Sequence, residues 1–319
     1  MRRKKKRISE PTMPLPIEET IVDLANSDKP LLSSRLIELS NLNSEEARLV
    51  EQAWPAIELG RRQQIIYRLV DLAEDNFELN FDGIFKNCLK DQDAEVRSKA
   101  IEGLWESEEA SLIDPLINLL EQDSSEKVQA AAATALGKFA MLAELEKLRP
   151  SHKSKLCQAL LAVINNKSRP LEIKRRALEA AAPLSLPQMK KAIMEAYRSR
   201  NPKLKTSALF AMGKSCDQSW LPILLKELAS PDTEVRYEAA GACGELGEKE
   251  ATPYLVELVY DPDVDVRLAA IQALSKIGDP EAKGCLERCL DNPSQIIQQA
   301  AEQALCELEA GENPLPFRL

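Results

Sequence analysis

Apolar positions recur along this chain with a period of about 31 residues. An aliphatic residue is followed four positions later by a small residue and eight positions later by another apolar one. In the second half the aliphatic residues are Leu204, Val235, Val266 and Ile297. Offsets of four and eight lie on one face of a helix. A fixed period of this length predicts stacked helical units, each packing only against its neighbours.

We call this three-residue pattern the repeat phrase. Its spacing is looser upstream, where it starts at Val96, Val128 and Ile173. A degenerate copy lies near Arg61. An N-cap residue before proline is typical of a helix start, and we expect one at Asn201-Pro202, Ser230-Pro231, Asp261-Pro262 and Asn292-Pro293. Glycine suits a left-handed helix end, and we expect this role for Gly137, Gly213, Gly247 and Gly278. The predicted unit is therefore helix, tight turn, helix.

These units resemble HEAT-like repeats, most closely the short type of the phycobilisome lyases. The resemblance rests on Gly247 to Ala251 and Gly278 to Ala282, each followed by an apolar helix. Asp-Val-Arg or Glu-Val-Arg opens the second helix. In the family an arginine recurs near the start of the second helix, and here an aspartate lies four residues before it. The resemblance implies that these residues form a structural ladder across the turns between helices. Its members here are Asp93, Arg97, Asp232, Arg236, Asp263 and Arg267.

The predicted fold is an all-α, right-handed α-solenoid of stacked helix-turn-helix repeats, with roughly eight units. Residues 1–16 are a basic, proline-containing stretch predicted to be a disordered tail. We expect degenerate capping repeats over 17–81 and the HEAT-like array over 82–308. The period is interrupted at about 140–170, and 309–319 is predicted to be a C-terminal tail.

Charge is strongly segregated along the chain. Residues 147–205 hold 15 basic and three acidic side chains, whereas 216–312 hold seven basic and 20 acidic ones. A clustered positive field attracts anionic partners. We call residues 147–205 the basic band. Because no aromatic platform interleaves its cations and the pI is about 5.1, an acidic protein surface is favoured over nucleic acid. The alternative is that neighbouring acidic helices neutralise the band.

The main hypothesis is a non-catalytic scaffold or adaptor that binds another protein on its concave face, which the second helices line. We expect five cations to attract the partner electrostatically. Three large apolar or aromatic side chains, which lie outside the predicted core face of their helices, are expected to anchor it. These candidate residues are Lys174, Arg175, Arg176, Lys203, Lys205, Phe210, Tyr237 and Leu268.

Two enzymatic alternatives follow from the resemblance. One is a lyase-type subunit that handles a bilin or a similar tetrapyrrole. The other is a deoxyhypusine-hydroxylase-like oxidoreductase, whose family holds two irons with His-Glu pairs. This chain has a single histidine, His152, and lysine follows it. Because the His-Glu pairs are missing, the hydroxylase hypothesis is disfavoured. No nucleophile and base can be paired by spacing, so we expect no catalytic residue and no cofactor.

The seven cysteines do not predict a metal site, because Cys285 and Cys289 share a helix face without a second pair or histidine nearby. They favour a reducing compartment. No apolar run is long enough to span a membrane, and no hydrophobic signal segment follows the basic start. The sequence therefore predicts a cytoplasmic protein.

Overall fold

The computed structural model describes residues 17–312, and within them every regular element is a helix. The predicted basic tail at 1–16 and residues 313–319 lie outside this range. The all-α repeat fold is thereby confirmed. The chain divides into two compact units, the first ending at Pro115 and the second beginning at Leu116.

The first unit consists of helices joined by short turns. They are α1 (Ile17–Ala25), α2 (Ser33–Ile37), α3 (Ser44–Ala53), α4 (Leu59–Asp75), α5 (Asp82–Cys88) and α6 (Ala94–Gly103). Helix α7 (Ile113–Gln122) begins at the end of this unit and continues into the next. Helix α4 pairs with α2 and α6, and α3 packs against α1 and α5.

The second unit alternates two layers of helices. The first helices of its repeats are α9 (Pro150–Asn165), α11 (Pro187–Tyr197), α13 (Leu221–Glu227), α15 (Thr252–Leu258) and α17 (Pro280–Cys289). The second helices are α8 (Glu126–Glu144), α10 (Leu171–Ala181), α12 (Pro202–Lys214), α14 (Thr233–Leu246), α16 (Val264–Ile277) and α18 (Gln295–Glu312). Each second helix packs against the next second helix along the chain.

The core of the second unit consists of the residues that carry the repeat phrase. Val235, Val266 and Ile297 are buried, and so are all four of the alanines that follow the anchors by four positions. Leu204, the first anchor of the regular series, is only half-buried. Because alanine leaves room at the contact, neighbouring second helices can approach closely.

The helix starts are confirmed in part. Asn201 accepts a hydrogen bond from the backbone N–H of Leu204 at 3.3 Å, directly before Pro202. The expectation for Ser230 and Asp261 is wrong, because the N-caps of α14 and α16 lie two residues later, at Asp232 and Asp263. The side-chain oxygen of each cap satisfies backbone N–H groups of the first turn.

The predicted glycine helix ends divide into two classes. Gly247 and Gly278 have φ of 70° and 66° and end α14 and α16 in the left-handed conformation, as expected. Gly137 and Gly213 instead lie inside α8 and α12. A Cβ on Gly213 would lie 2.7 Å from the Cα of Ala242. Glycine at this position therefore permits close packing of α12 on α14, and the prediction of a helix end there is wrong.

Candidate functional site

The candidate site lies on the exposed face of the second helices, between α8 and α16. Five of the eight predicted partner-binding residues line two adjoining grooves on this face, namely Arg175, Arg176, Phe210, Tyr237 and Leu268. The three lysines of the prediction line neither groove. The structure therefore brings the predicted apolar residues and the arginines together and leaves the lysines apart.

The two arginines are neutralised by glutamates of their own helix. Arg175 lies 2.7 Å from Glu172, and Arg176 lies 2.9 Å from Glu172 and 3.0 Å from Glu179. Arg175 also donates from Nε to the hydroxyl of Ser207 at 2.9 Å, and this hydroxyl donates to Glu179 at 2.6 Å. The bonds of Ser207 to Arg175 and Glu179 tie α10 to α12, so Arg175 stabilises the packing of the array.

Lys205 is also held by an internal partner. Its Nζ lies 2.6 Å from Glu227, whose side chain is 6 % exposed, and it stands over the ring of Tyr197. Burial acts to raise the pKa of Glu227, but the hydrogen bonds from Lys205 and from the Tyr197 hydroxyl outweigh it, so this pKa lies below its ordinary value. The expected steering role of Lys205 gives way to neutralising a buried carboxylate.

Lys174 and Lys203 are different. The side chain of neither lysine forms an ion pair or a hydrogen bond with another residue in the part of the chain that the structure describes. They lie near the N-terminal ends of α10 and α12. A cation near the positive end of a helix dipole is unfavourable for stability. Of the five cations predicted to steer a partner, these two are the ones whose side chains have no partner among the described residues.

The first groove, which we call the apolar groove, has a volume of about 460 Å³. It lies across α8, α10 and α12. Its lining combines apolar and charged side chains, and its main lining residues are Met141, Arg176, Ala180, Pro183, Phe210 and Lys214. Phe210 is 36 % exposed, and Lys214 lies over its ring while pairing with Glu245 at 3.0 Å.

The second groove, which we call the acidic groove, has a volume of about 630 Å³. It lies mainly across α14 and α16, and its main lining residues are Glu234, Tyr237, Glu238, Asp263, Asp265 and Leu268. Tyr237 is 45 % exposed, and Leu268 is half-buried. Four of its lining residues are carboxylates, whereas Arg175 is the single cation among them.

Arg175 and Glu238 line both grooves and form the boundary between them. Burial, followed by repulsion from Glu179, raises the pKa of Glu238 to about 7, although Arg175 opposes the shift. A carboxyl group with such a pKa titrates near neutral pH. Sequence analysis missed Glu238, since nothing in the repeat phrase marks a half-buried acid three positions after a core anchor.

The predicted ladder exists in a different form. The Arg236 side chain pairs with both carboxylate oxygens of Asp261 in the next repeat, at 2.8 and 2.9 Å, and not with Asp232. Asp261 also accepts the backbone N–H of Asp263, which caps α16. The first aspartate of this Asp-x-Asp motif therefore receives the arginine of the preceding repeat, and the second caps the helix.

The remaining ladder positions follow this pattern only in part. Asp93 caps α6, as Asp263 caps α16. Arg97 donates to the backbone carbonyls of Asp91 and Gln92 at 2.7 and 2.9 Å. The Nε of Arg267 is buried without a hydrogen-bond partner among the described residues. The arginines Arg97 and Arg236 thus make contacts that close the turns between helices, and Arg236 also pairs with Asp261 of the next repeat.

The remaining predictions from the sequence concern the cysteine pair, the single histidine and membrane-spanning segments. Cys285 and Cys289 are both buried in α17, and the described residues contain no group of three potential metal ligands. The single histidine, His152, is half-buried. Among residues 17–312, no helix has the length and apolarity needed to cross a bilayer.

Comparison with known families settles what the repeats are. The model of HEAT repeats matches residues 82–156 and 221–306, just over half of the chain. The chain belongs to the HEAT-repeat family. The predicted HEAT-like repeat is thereby confirmed, and the grooves of this HEAT-repeat protein lie on the second helices of its array. No curated protein sequence matches the chain.

Solved structures include similar helical arrays. Yeast importin-β (Kap95p) is 12 % identical, with a TM-score of 0.53 over 92 % of this chain and 46 % of its own. The complex of CpcE and CpcF of phycocyanin lyase from Nostoc sp. PCC7120 is 18 % identical, covering 72 % and 94 %, with a TM-score of 0.49. Escherichia coli YibA is 17 % identical, covering 76 % and 96 %, with a TM-score of 0.45. The likeness to importin-β shows the fold alone, and the closer likeness to the phycobilisome-lyase repeat type stays a prediction.

Proposed function

We propose that this protein is a non-catalytic HEAT-repeat scaffold that binds a partner protein through the exposed face of its second helices. The observation that carries the proposal is the pair of adjoining grooves, each with a large exposed aromatic side chain, Phe210 in one and Tyr237 in the other. Aromatic residues surrounded by charged ones are typical anchors of protein interfaces.

Lys174 and Lys203 support a further part of the proposal, which is that the partner presents an acidic surface to the start of α10 and α12. They are unpaired within the described residues and lie where a cation does not stabilise a helix. Since Arg175, Arg176 and Lys205 are paired internally, the attraction of an acidic partner rests on these two lysines.

Site-specific crosslinking tests the proposed face. A photo-reactive phenylalanine analogue replaces Tyr237 on the second-helix face, or Tyr254 on the first helix α15 as a matched control. The exposed fractions of these tyrosines are 45 % and 47 %. We expect one stoichiometric crosslinked protein from native lysate at position 237 and none at position 254. Equal labelling at both positions, or labelling at 254 alone, would contradict the proposal.

Alanine substitution gives the corresponding affinity. Once the partner is purified, Phe210→Ala combined with Tyr237→Ala should weaken binding by about 30-fold or more, because truncating a single anchor typically costs about 2 kcal/mol or more and the losses at neighbouring anchors do not add in full. Tyr254→Ala should leave the dissociation constant unchanged. Isothermal titration calorimetry of the three proteins measures the difference.

A further inference from the structure

The acidic groove identifies the chemistry of the segment that the scaffold holds, an inference that rests on the proposed function. The carboxylates of Glu234, Glu238 and Asp265 have no ion pair or side-chain hydrogen bond with any residue of the described range. The arginines beside the apolar groove, by contrast, are paired with Glu172 and Glu179. The unbalanced charge within the two grooves is therefore negative, since Lys174 and Lys203 line neither of them.

Not all of these acids are explained by helix stability. Glu234 and Asp265 lie in the first turns of α14 and α16, where a negative charge is favourable. Glu238 lies in the middle of α14, half-buried, and is repelled by Glu179. A partly buried carboxylate beside a second one costs stability. A cation placed in the groove would offset this cost.

Tyr237 adds a second feature that suits a cation. Its ring is exposed in the same groove as the four carboxylates. Lysine and arginine side chains bind favourably over aromatic rings, through the ring face and through their apolar stems. Phosphate groups of a nucleic acid would be repelled by the same carboxylates, so the geometry favours a protein segment.

The neighbouring apolar groove sets the other half of the specificity. Phe210 lies on α12 and Tyr237 on α14, which pack side by side. Adjacent packed helices are about 8–10 Å apart, and an extended chain rises about 3.3 Å per residue. About three residues of an extended segment therefore pass from one groove to the next.

We propose that the two grooves together accept one extended segment of the partner protein, with a large apolar side chain in the apolar groove and a lysine or arginine about three residues away in the acidic groove. The apolar side chain rests on Phe210 and Met141. The basic side chain lies against Tyr237 and is neutralised by Glu238 and Asp265.

Three fluorescein-labelled ten-residue peptides test this specificity by fluorescence anisotropy with the full chain. Each contains one leucine in an otherwise Gly/Ser background, and positions three and four after it are Arg-Arg, Gln-Gln or Glu-Glu. We expect the Arg peptide to bind at least about ten-fold more tightly than the Gln peptide, equivalent to 1.4 kcal/mol. The Glu peptide should bind most weakly.

Two double variants with the same change in net charge separate the groove from the general field of the protein. Glu238→Gln with Asp265→Asn should abolish the preference for the Arg peptide. Glu250→Gln with Glu257→Gln neutralises two exposed acids on the first-helix side and should preserve the preference. Circular dichroism of each variant verifies that it is folded.

Three results would overturn the inference: equal affinities for the three peptides, no binding of any of them, or tightest binding of the Glu peptide. None of these touches the proposed function, because crosslinking at Tyr237 reports on the natural partner independently. Conversely, absent crosslinking at Tyr237 with a clear Arg preference would leave the groove specificity standing without the scaffold role.

Discussion

At the residue scale, Glu238 is the side chain whose ionisation is most strongly linked to folding on the candidate face. Its pKa in the folded chain is about 7, against an ordinary value of 4.5, because it is buried and lies near Glu179 and Glu234, with Arg175 opposing them. The folded state therefore binds more protons than the unfolded state between these two pH values. Stability should fall as pH rises through this window.

Replacing Glu238 by glutamine removes this dependence. At pH 8 we expect Glu238→Gln to raise the free energy of unfolding by about 2 kcal/mol, a value reduced from the full shift because the group is partly exposed. At pH 4, where the carboxyl is mostly protonated in both states, the gain should nearly vanish. Urea unfolding at the two pH values measures this.

Glu234→Gln, one turn earlier on the exposed side of α14, is the control for the loss of one charge. An equal gain for both variants at pH 8 would mean that net charge, and not the burial of Glu238, sets the pH dependence.

Lys205 shows what residue-level reasoning from sequence misses. Its place in a run rich in lysine and arginine predicts a steering charge, but its Nζ lies 2.6 Å from Glu227. Glu227 is 22 positions away and belongs to another helix. Pairing across that separation depends on how α12 packs against α13, which the composition of the run does not encode.

At the element scale, glycine governs how closely neighbouring second helices pack. A Cβ added to Gly213 of α12 would lie 2.7 Å from the Cα and 3.0 Å from the Cβ of Ala242 in α14. Contacts this short force the two helices apart. Gly244 of α14 has the same relation to Ala273 of α16, so the close approach repeats along the array.

Gly213→Ala should therefore destabilise the protein by about 2 kcal/mol, because overpacking outweighs the gain in helix propensity of about 1 kcal/mol. Gly241→Ala provides the matched control, since it lies inside α14 with no atom near the added Cβ. It should stabilise the protein by up to about 1 kcal/mol. Thermal unfolding followed by circular dichroism distinguishes the two, and a stabilising Gly213→Ala would refute the close-packing role.

The helix boundaries illustrate which local signals are reliable. Asparagine before proline correctly marks the start of α12 at Asn201. Asp261 precedes a proline as well, yet it accepts Arg236 from the preceding repeat, and Asp263 provides the cap. Both aspartates satisfy the local chemistry of a cap, and the position of the arginine decides between them.

At the scale of the whole molecule, charge is divided between a basic stretch and an acidic one, and the fold neutralises much of the first. Lys174 and Lys203 remain unpaired within the described residues. Lys174→Glu with Lys203→Glu should weaken binding of an acidic partner by about ten-fold or more at low salt, mainly through a slower association rate. The loss should shrink as ionic strength rises.

Lys191→Glu, combined with Lys190→Glu, gives a control of equal charge change on the first helix α11, where the side chains are 79 % and 54 % exposed. Surface plasmon resonance measures the association rates of both variants with the partner that crosslinking identifies. Equal slowing of association in the two double variants would mean that net charge determines the rate. Lys174 and Lys203 would then have no specific role in binding the partner.

The sequence by itself determined the repeat architecture and its core. A period of about 31 residues, with alanine four positions after each aliphatic anchor, can bury its apolar face only by stacking helices on helices. The anchors Val235, Val266 and Ile297 are accordingly buried. These are local regularities, so they can be read from one unit and extended to the next.

Only the tertiary structure decided which charges remain available and where a partner has room to bind. The two grooves form where side chains of successive second helices meet. The pKa of Glu238 is raised there by burial and by repulsion from Glu179, some 60 positions earlier. The repeat phrase places each side chain on a helix face but does not specify its neighbour from another repeat. Ion pairing and burial depend on that neighbour, so the site emerges only when the repeats are packed.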